Sequence, residues 1–433
     1  MTLPCNSQIT GKKQVEDYNK KAESIVEKAE NALLGKFREL DKIAEFNQKK
    51  VLDAFKKNKI GEEHFYTVTG YGHDDIGREA LDSVFADVFK AEAAIVRPHF
   101  VSGSHTIACA LFGVLRYGDR LVSIAGEPYD TMQQIIGSRP NCEDFETSLI
   151  GHGVKYSEVP LKDGIEVDYA NIEKYLLPDT KMVLIQRSRG YSLRKPLTIA
   201  DIKKIIDIVK AKNPEICCFV DNCYGEFTET AEPVEVGADL IAGSLIKNPG
   251  GGIVEAGGYI AGRKKYVDMA ARRLTAPGIG AEGGAMHNQT RIILQGFFMA
   301  PNIVHGALKG SLLTAKTFED MGFETFPSSD DIRTDLIQTI SFNNEKEQQA
   351  FCTMVQHNSP VESYLTPIPD TVPGYDCNLL MAGGSFIEGS TIELSADGPV
   401  RSPWAIYIQG GLSYFHVKIA LKGVVEELLK QNL

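Results

Sequence analysis

Between about residue 90 and residue 262 the chain repeats one pattern, a short apolar run followed by a longer segment with helical periodicity. The runs are Ala93 to Val96, Leu121 to Ala125, Met182 to Gln186 and Ile216 to Val220, and Thr106 to Tyr117 and Asp201 to Lys210 are two of the intervening segments. Apolar runs without polar alternation suit strands covered on both faces, and strands separated by helices suit a parallel arrangement. The pattern therefore predicts an α/β fold with a mostly parallel sheet flanked by helices. In such sheets a ligand sits beyond the carboxyl ends of the strands, so chemistry is expected in the residues just after each apolar run.

A chain of 433 residues is too long for one small core. By pattern it divides into an N-terminal helical arm (1–60), a large domain (61–300) and a smaller α+β C-terminal domain (301–433). The arm places Ile25, Leu33, Leu34 and Phe37 at helical spacing among Lys and Glu. In the C-terminal part Ala307 to Met321 reads as helix, Asn343 to Gln349 as a polar stretch and Thr391 to Leu394 as strand.

A net charge of −11 argues against nucleic acid and anionic membrane as general partners. The apolar run Ile292 to Val304 is interrupted by Gln295, Pro301 and Asn302, too short and broken to span a bilayer. The eight cysteines contain no C-x-x-C pair and the histidines no H-x-x-x-H pair, so no metal site is expected. Reduced thiols and an N-terminus without a signal peptide point to the cytoplasm.

The strand ends supply a converging set. After Val96 comes HFVSGSHTIACAL, where Ser102, Gly103 and Ser104 precede a helix whose first N–H groups could hold phosphate, or form an ordinary capping turn. Tyr129 follows the second run and could stack on a planar ring, or simply pack. Asp221 follows directly on Val220, where a carboxylate needs a positive partner: a protonated ring nitrogen, an arginine or a helix N-terminus. Lys247, in GSLIKNPGGG, follows the next apolar run. Glycine-rich backbone leaves room for a ligand. A lysine in a dry site beside other positive charge has a disfavoured ammonium form, so its amine is available as nucleophile and base. Each feature alone has a bland reading. Together they make a phosphate cup, a stacking ring, an acid for a pyridinium nitrogen and a lysine for an aldehyde, the set that pyridoxal 5'-phosphate requires.

The run DNCYGEFTETAEPVEVGADLIAGSLIKNPGG resembles the cofactor segment of fold-type I pyridoxal phosphate enzymes of the cystathionine and methionine lyase group. With GYGHDDIGREALD and DGPVRSPWAIYIQGGLSY, the chain after about residue 60 resembles the methionine gamma-lyase-like family also labelled aluminium resistance protein. The resemblance implies Lys247 as the Schiff-base lysine, Asp221 at the ring nitrogen and Tyr129 on the ring. It implies Gly103, Ser104 and Ser244 at the phosphate, and Tyr71 reaching a neighbouring subunit's phosphate in a homo-oligomer, a dimer of dimers. His73 and Ile246 stand where relatives carry arginine and threonine, which leaves Arg78 or His105 to neutralise phosphate. Arg187, Ser188 and Arg189 replace a region where relatives place an asparagine. Arg401, between Pro399 and Pro403, is the expected partner of the substrate carboxylate, with a surface ion pair as the competing role.

The reaction so implied is β- or γ-elimination from a sulfur amino acid, giving a 2-oxo acid and ammonia. An aminotransferase or another fold-type I reaction uses the same parts, and a cofactor-binding stress-response protein without turnover is the non-enzymatic alternative. A nicotinamide-dependent dehydrogenase is disfavoured because no G-x-G-x-x-G opens a strand–turn–helix unit.

Overall fold

The computed structural model describes residues 7–139, 145–190, 192, 194–371 and 377–431. The chain forms two compact units, one built from residues 43–302 and the other from 1–42 together with 303–433.

The first unit is organised on seven strands: β1 (Ala93–Arg97), β2 (Arg120–Ser123), β3 (Lys155–Glu158), β4 (Thr180–Gln186), β5 (Cys217–Asp221), β6 (Leu240–Ser244) and β7 (Gly258–Gly262). Their order is β1-β7-β6-β5-β4-β2-β3. The pairs β2–β3, β2–β4, β4–β5 and β5–β6 are parallel, and β7 runs antiparallel to both β1 and β6. β1 and the parallel strands consequently end on the same edge, so the residues after β1, β2, β4, β5 and β6 gather there. The mostly parallel α/β sheet expected from the apolar runs is the fold observed.

The helix Ile199–Lys212 shows how sequence produces the covering layer. Thr198 caps it by accepting from the Asp201 amide at 3.0 Å while the Asp201 carboxylate accepts from the Thr198 amide at 3.0 Å, a reciprocal capping box. Ile199, Ile202, Ile205, Ile206 and Val209 then turn one buried stripe to the sheet. On a face of the sheet, Ile95, Leu121, Leu184, Phe219, Leu240 and Ile260 pack with Ile107, Leu111 and Ala270 from the helices Gly103–Val114 and Lys264–Leu274. These two helices approach closely because Gly113 has no side chain: a Cβ there would lie 2.9 Å from the Ala270 Cα. That contact fixes the axis of Gly103–Val114 and with it the position of its N-terminus.

The second unit holds five antiparallel strands, β8 (Glu324–Phe326), β9 (Gln338–Ser341), β10 (Leu379–Gly383), β11 (Ser395–Pro399) and β12 (Ala405–Gln409), in the order β10-β11-β12-β9-β8. The segment Thr391 to Leu394, expected as strand, is instead a bend leading into β11, with Ile392, Glu393 and Leu394 buried. Glu393 accepts from the amides of Phe386 and Ile387 at 2.9 and 3.0 Å, which gives that bend its own hydrogen bonds in place of a ladder. The polar stretch from Asn343 opens a helix, Glu345–His357, because Asn344 is an N-cap accepting from the Glu347 amide at 3.1 Å. The N-terminal helix Ser7–Ala32 packs against the C-terminal helix Tyr414–Lys430, where Glu30 accepts from the Tyr414 hydroxyl at 2.5 Å and from Lys418 at 2.6 Å. No helix among the described residues is long and apolar enough to cross a membrane.

Candidate active site

Ser102 is the N-cap of Gly103–Val114, accepting from the His105 amide at 3.1 Å. The amides of Gly103 and Ser104, the first two of the helix, have no acceptor within it, so they point outward at the positive end of the helix dipole. Facing them is Ser244, the last residue of β6. Its hydroxyl oxygen is buried and has no hydrogen-bond partner among the described residues. A Cβ at Gly103 would stand 3.1 Å from the Ser244 Cβ, so glycine keeps this opening clear. Two free helix amides and one unpartnered buried hydroxyl form a cup suited to an anion.

Asp221 ends β5 and is 4% exposed; its Oδ1 accepts from the Cys223 amide at 3.2 Å. Burial raises its carboxyl above the ordinary carboxylate range, while Lys247 and Cys223 pull it back. Tyr129, after β2, is half-buried and its amide donates to Gln186 Oε1 at 3.1 Å, which ties the end of β2 to the end of β4. Its hydroxyl is hydrogen-bonded to Ser104, and burial followed by the Asp221 charge pushes the phenol up.

Lys247 is half-exposed and its Nζ lies 4.2 Å from the centre of the Tyr224 ring. Burial opposes its ammonium form, but Cys223, Tyr224, Tyr129 and Asp221 outweigh it, so the amine sits above its ordinary range. The neighbours acting on Lys247 favour its ammonium form, which corrects the expectation of an amine kept unprotonated by adjacent cations. The glycines after it also differ in role from the sequence reading. A Cβ at Gly250 would stand 1.7 Å from the Leu245 carbonyl oxygen, and one at Gly251, which has φ +57°, 2.4 Å from the Gly296 carbonyl oxygen. They pack backbone on backbone and so fix the Lys247 turn, instead of clearing space for a ligand.

Lys247, Asp221, Tyr129, Ser104, Gly103 and Ser244 are therefore brought together, with a buried floor (Asp221, Ser244, Cys223) and a half-exposed rim. His105 lies in the first turn of the same helix: its Nδ1 accepts from the Val101 amide at 3.1 Å and burial lowers its pKa, so it offers a neutral N–H and no charge. Arg78 is buried and donates to the carbonyls of Gly72, Gly284 and Glu282 at 2.5, 3.1 and 3.0 Å. It fastens the turn carrying Tyr71. Tyr71 is 82% exposed and stacks on His73 with ring centres 5.7 Å apart. Arg401, exposed in the bend after β11, belongs to the other unit and has no ion-pair partner among the described residues.

Sequence reading named Arg187 without a role and missed the buried network of polar groups around it. Arg187, fully buried, donates to Asn222 Oδ1 at 2.9 Å, Thr228 Oγ1 at 3.2 Å and Glu229 Oε2 at 2.9 Å, and lies 3.6 Å from Glu232 Oε2. Glu226 accepts from the Tyr259 hydroxyl at 2.8 Å, and burial pushes its carboxyl up to about 8. Asn248, next to Lys247, donates to the Glu226 carbonyl at 3.0 Å. No cluster of three His, Cys, Asp or Glu side chains suited to a metal ion occurs among the described residues.

The sheet is that of fold-type I pyridoxal phosphate enzymes: a pyridoxal-5'-phosphate-dependent protein, YhfS from Escherichia coli, superposes with a TM-score of 0.59 at 16% identity over 88% of this chain and 96% of its own, a likeness of fold alone. The chain belongs to the methionine gamma-lyase family, whose sequence profile matches residues 22–429, a family of pyridoxal phosphate-dependent carbon–sulfur lyases. A carbon–sulfur lyase involved in aluminium resistance from Clostridium novyi has a TM-score of 0.91 and 45% identity, covering 98% of this chain and all of that one (100%). The uncharacterised protein YnbB of Bacillus subtilis is 46% identical over 402 residues, 93% of this chain and 95% of its own.

Proposed function

We propose that this protein is a pyridoxal phosphate-dependent lyase that expels a sulfur leaving group from the β or γ position of an amino acid, yielding a 2-oxo acid and ammonia. The observation that carries the reading is the convergence at one sheet edge of an anion cup with an unpartnered buried hydroxyl, a buried aspartate and a lysine. The cofactor fits this set. Gly103, Ser104, His105 and Ser244 would hold its phosphate with N–H and O–H donors, Tyr129 would cover its ring, Asp221 would face its ring nitrogen and Lys247 would carry it through the ε-amine. When bound, the cofactor supplies an aldehyde that joins an amine and a conjugated ring that takes up an electron pair.

The chain's own part is positioning and proton transfer. Asp221, desolvated at the end of β5, favours a protonated nitrogen opposite it. Lys247 Nζ, once free, takes the proton from the substrate α carbon and can return it as an acid. The Tyr129 hydroxyl, kept neutral by burial, donates a proton toward the departing sulfur. Arg401, without an ion-pair partner among the described residues, would take the substrate carboxylate bidentately.

Arg78 is engaged by carbonyls and burial keeps His105 neutral, so neither of these two residues brings a charge to the cup. Tyr66, Tyr71 and Val101 are 67%, 82% and 81% exposed, and Gly284 joins the Tyr71 turn to His99 by accepting from Arg78, donating to the Tyr71 carbonyl and lying against the His99 ring. Such exposed apolar loops suit an interface between copies, through which Tyr71 would reach a neighbour's phosphate in a homo-oligomer. The cysteines among the described residues are free and buried except for the half-buried Cys377, which suits a reducing, cytoplasmic setting.

The test is the absorption spectrum of the purified protein, before and after borohydride, followed by assay of 2-oxo acid and ammonia with cysteine, cystathionine and methionine. Visible absorbance, cofactor fixed by borohydride to the Lys247 peptide and turnover on one of the three are expected. Retention of the amino group on the cofactor until a 2-oxo acid is added would favour an aminotransferase, and failure to take up cofactor would overturn the reading.

A further inference from the structure

Tyr224 has two properties that packing does not require. Its backbone lies at φ +71°, in the left-handed region that is unfavourable for a bulky side chain. Its ring also lies beneath the Lys247 amine, 4.2 Å from Nζ to ring centre. Strained backbone persists only where the surroundings impose it, and here they do. The Gly225 amide closes onto the Asn222 carbonyl at 2.9 Å, and the Phe227 amide donates to Glu232 at 3.0 Å. A Cβ at position 225 would stand 2.4 Å from the Arg187 side chain, so that side chain closes off the turn from behind. Asn248 then ties the lysine turn to this one through the Glu226 carbonyl.

We propose that Tyr224 is the face on which the Lys247 ammonium rests whenever its amine is not joined to the cofactor, and that this ring helps to set the basicity of Lys247. The inference rests on the reading of Lys247 as the cofactor-bearing base. Cys223, Tyr129 and Asp221 also face the amine, but burial keeps the thiol and phenol protonated at neutral pH, so Asp221 is the one of these three able to bring a formal charge. A ring face adds attraction of a different kind. It favours the ammonium over the neutral amine without accepting a conventional hydrogen bond, and it persists at every pH where the tyrosine is neutral. Accepting the substrate proton at Nζ creates the cation this face stabilises.

The experiment follows the apo form of the full chain as it condenses with added pyridoxal phosphate, because only unprotonated amine reacts. The condensation rate is measured against pH for wild type, Tyr224→Phe and Tyr224→Leu, with the melting temperature of each apo protein as a check on folding. Tyr224→Phe, which keeps the ring face and removes only the hydroxyl, should stay within about threefold of wild type. Tyr224→Leu should condense about tenfold faster near neutral pH, with its midpoint lower by about one unit. If Tyr224→Leu does not fold, pentafluorophenylalanine at position 224, which keeps the ring shape and drains its negative face, should give the same shift relative to Tyr224→Phe. An unshifted profile with cofactor still fixed to Lys247 by borohydride overturns the role of Tyr224. Absence of cofactor on Lys247 in every variant, wild type included, overturns the reading of the lysine instead.

Discussion

Asp221 and Glu232 are both buried carboxylates in the same unit, and they differ in who completes them. Glu232 accepts from the Phe227 amide at 3.0 Å and from Asn222 Nδ2 at 3.2 Å and has Arg187 at 3.6 Å, so its charge is closed within the protein. Asp221 accepts from one amide, at 3.2 Å, and looks toward Lys247, Tyr129 and the rim. The first arrangement is structural. The second leaves a desolvated charge whose partner can come from outside, which is how a binding site differs from a buried ion pair of similar composition.

The comparison breaks most sharply at Lys247. Lys247→Ala should lower turnover by roughly a thousandfold or more and abolish borohydride-fixed cofactor, because nucleophile and base are lost together. Arg187→Leu should do the converse: it strands the Glu229 and Glu232 charges and should destabilise the protein by about 3–5 kcal/mol, read as a lower denaturation midpoint with and without cofactor. If Arg187→Leu instead spared stability and removed only cofactor binding, the division between closed and open clusters would be wrong. Ser244→Ala should weaken cofactor binding by roughly tenfold with an unchanged melting temperature, since it removes one donor that has no partner among the described residues.

The smallest effect tests the closed cluster by pH. Burial pushes Glu226 up to about 8 in the folded protein, against an ordinary value of 4.5, so the folded state holds a proton the unfolded state releases. Its contribution is full below the unfolded value and is lost as pH rises through about 8. Glu226→Gln, a permanent neutral isostere, should flatten this slope and raise the melting temperature at pH 8 relative to wild type by about 5 °C. An unchanged slope would mean that Glu226 is ionised in the fold.

What could be read from the sequence follows the same division. The open cluster was legible because Asp221, Lys247, Tyr129 and the Ser102–Ser104 turn each lie at or just after an apolar run, where a strand end places them at the sheet edge, and Ser244 was added by the family resemblance. The closed cluster was not. Glu226 and Glu229 lie in GEFTET, which reads as an exposed polar loop until Tyr259, 33 residues from Glu226, and Arg187, 42 residues from Glu229, close on them. Tyr224 escaped notice because propensity disfavours tyrosine at positive φ, and only the packed surroundings hold it there. β3, Lys155–Glu158, lacks an apolar run because it is an edge strand, half-exposed along most of its length.

The pairing of the first helix with the last has a consequence for biosynthesis. Glu30 meets Lys418, 388 residues later in the chain. At ordinary synthesis rates, roughly 20–80 s pass between the emergence of the two from the ribosome, and in that interval the apolar side of the N-terminal helix has no permanent cover. Residues 43–302, by contrast, are contiguous and can fold as they appear. A nascent chain of this protein therefore carries the Ser7–Ala32 helix without its Tyr414–Lys430 neighbour until that second helix is made.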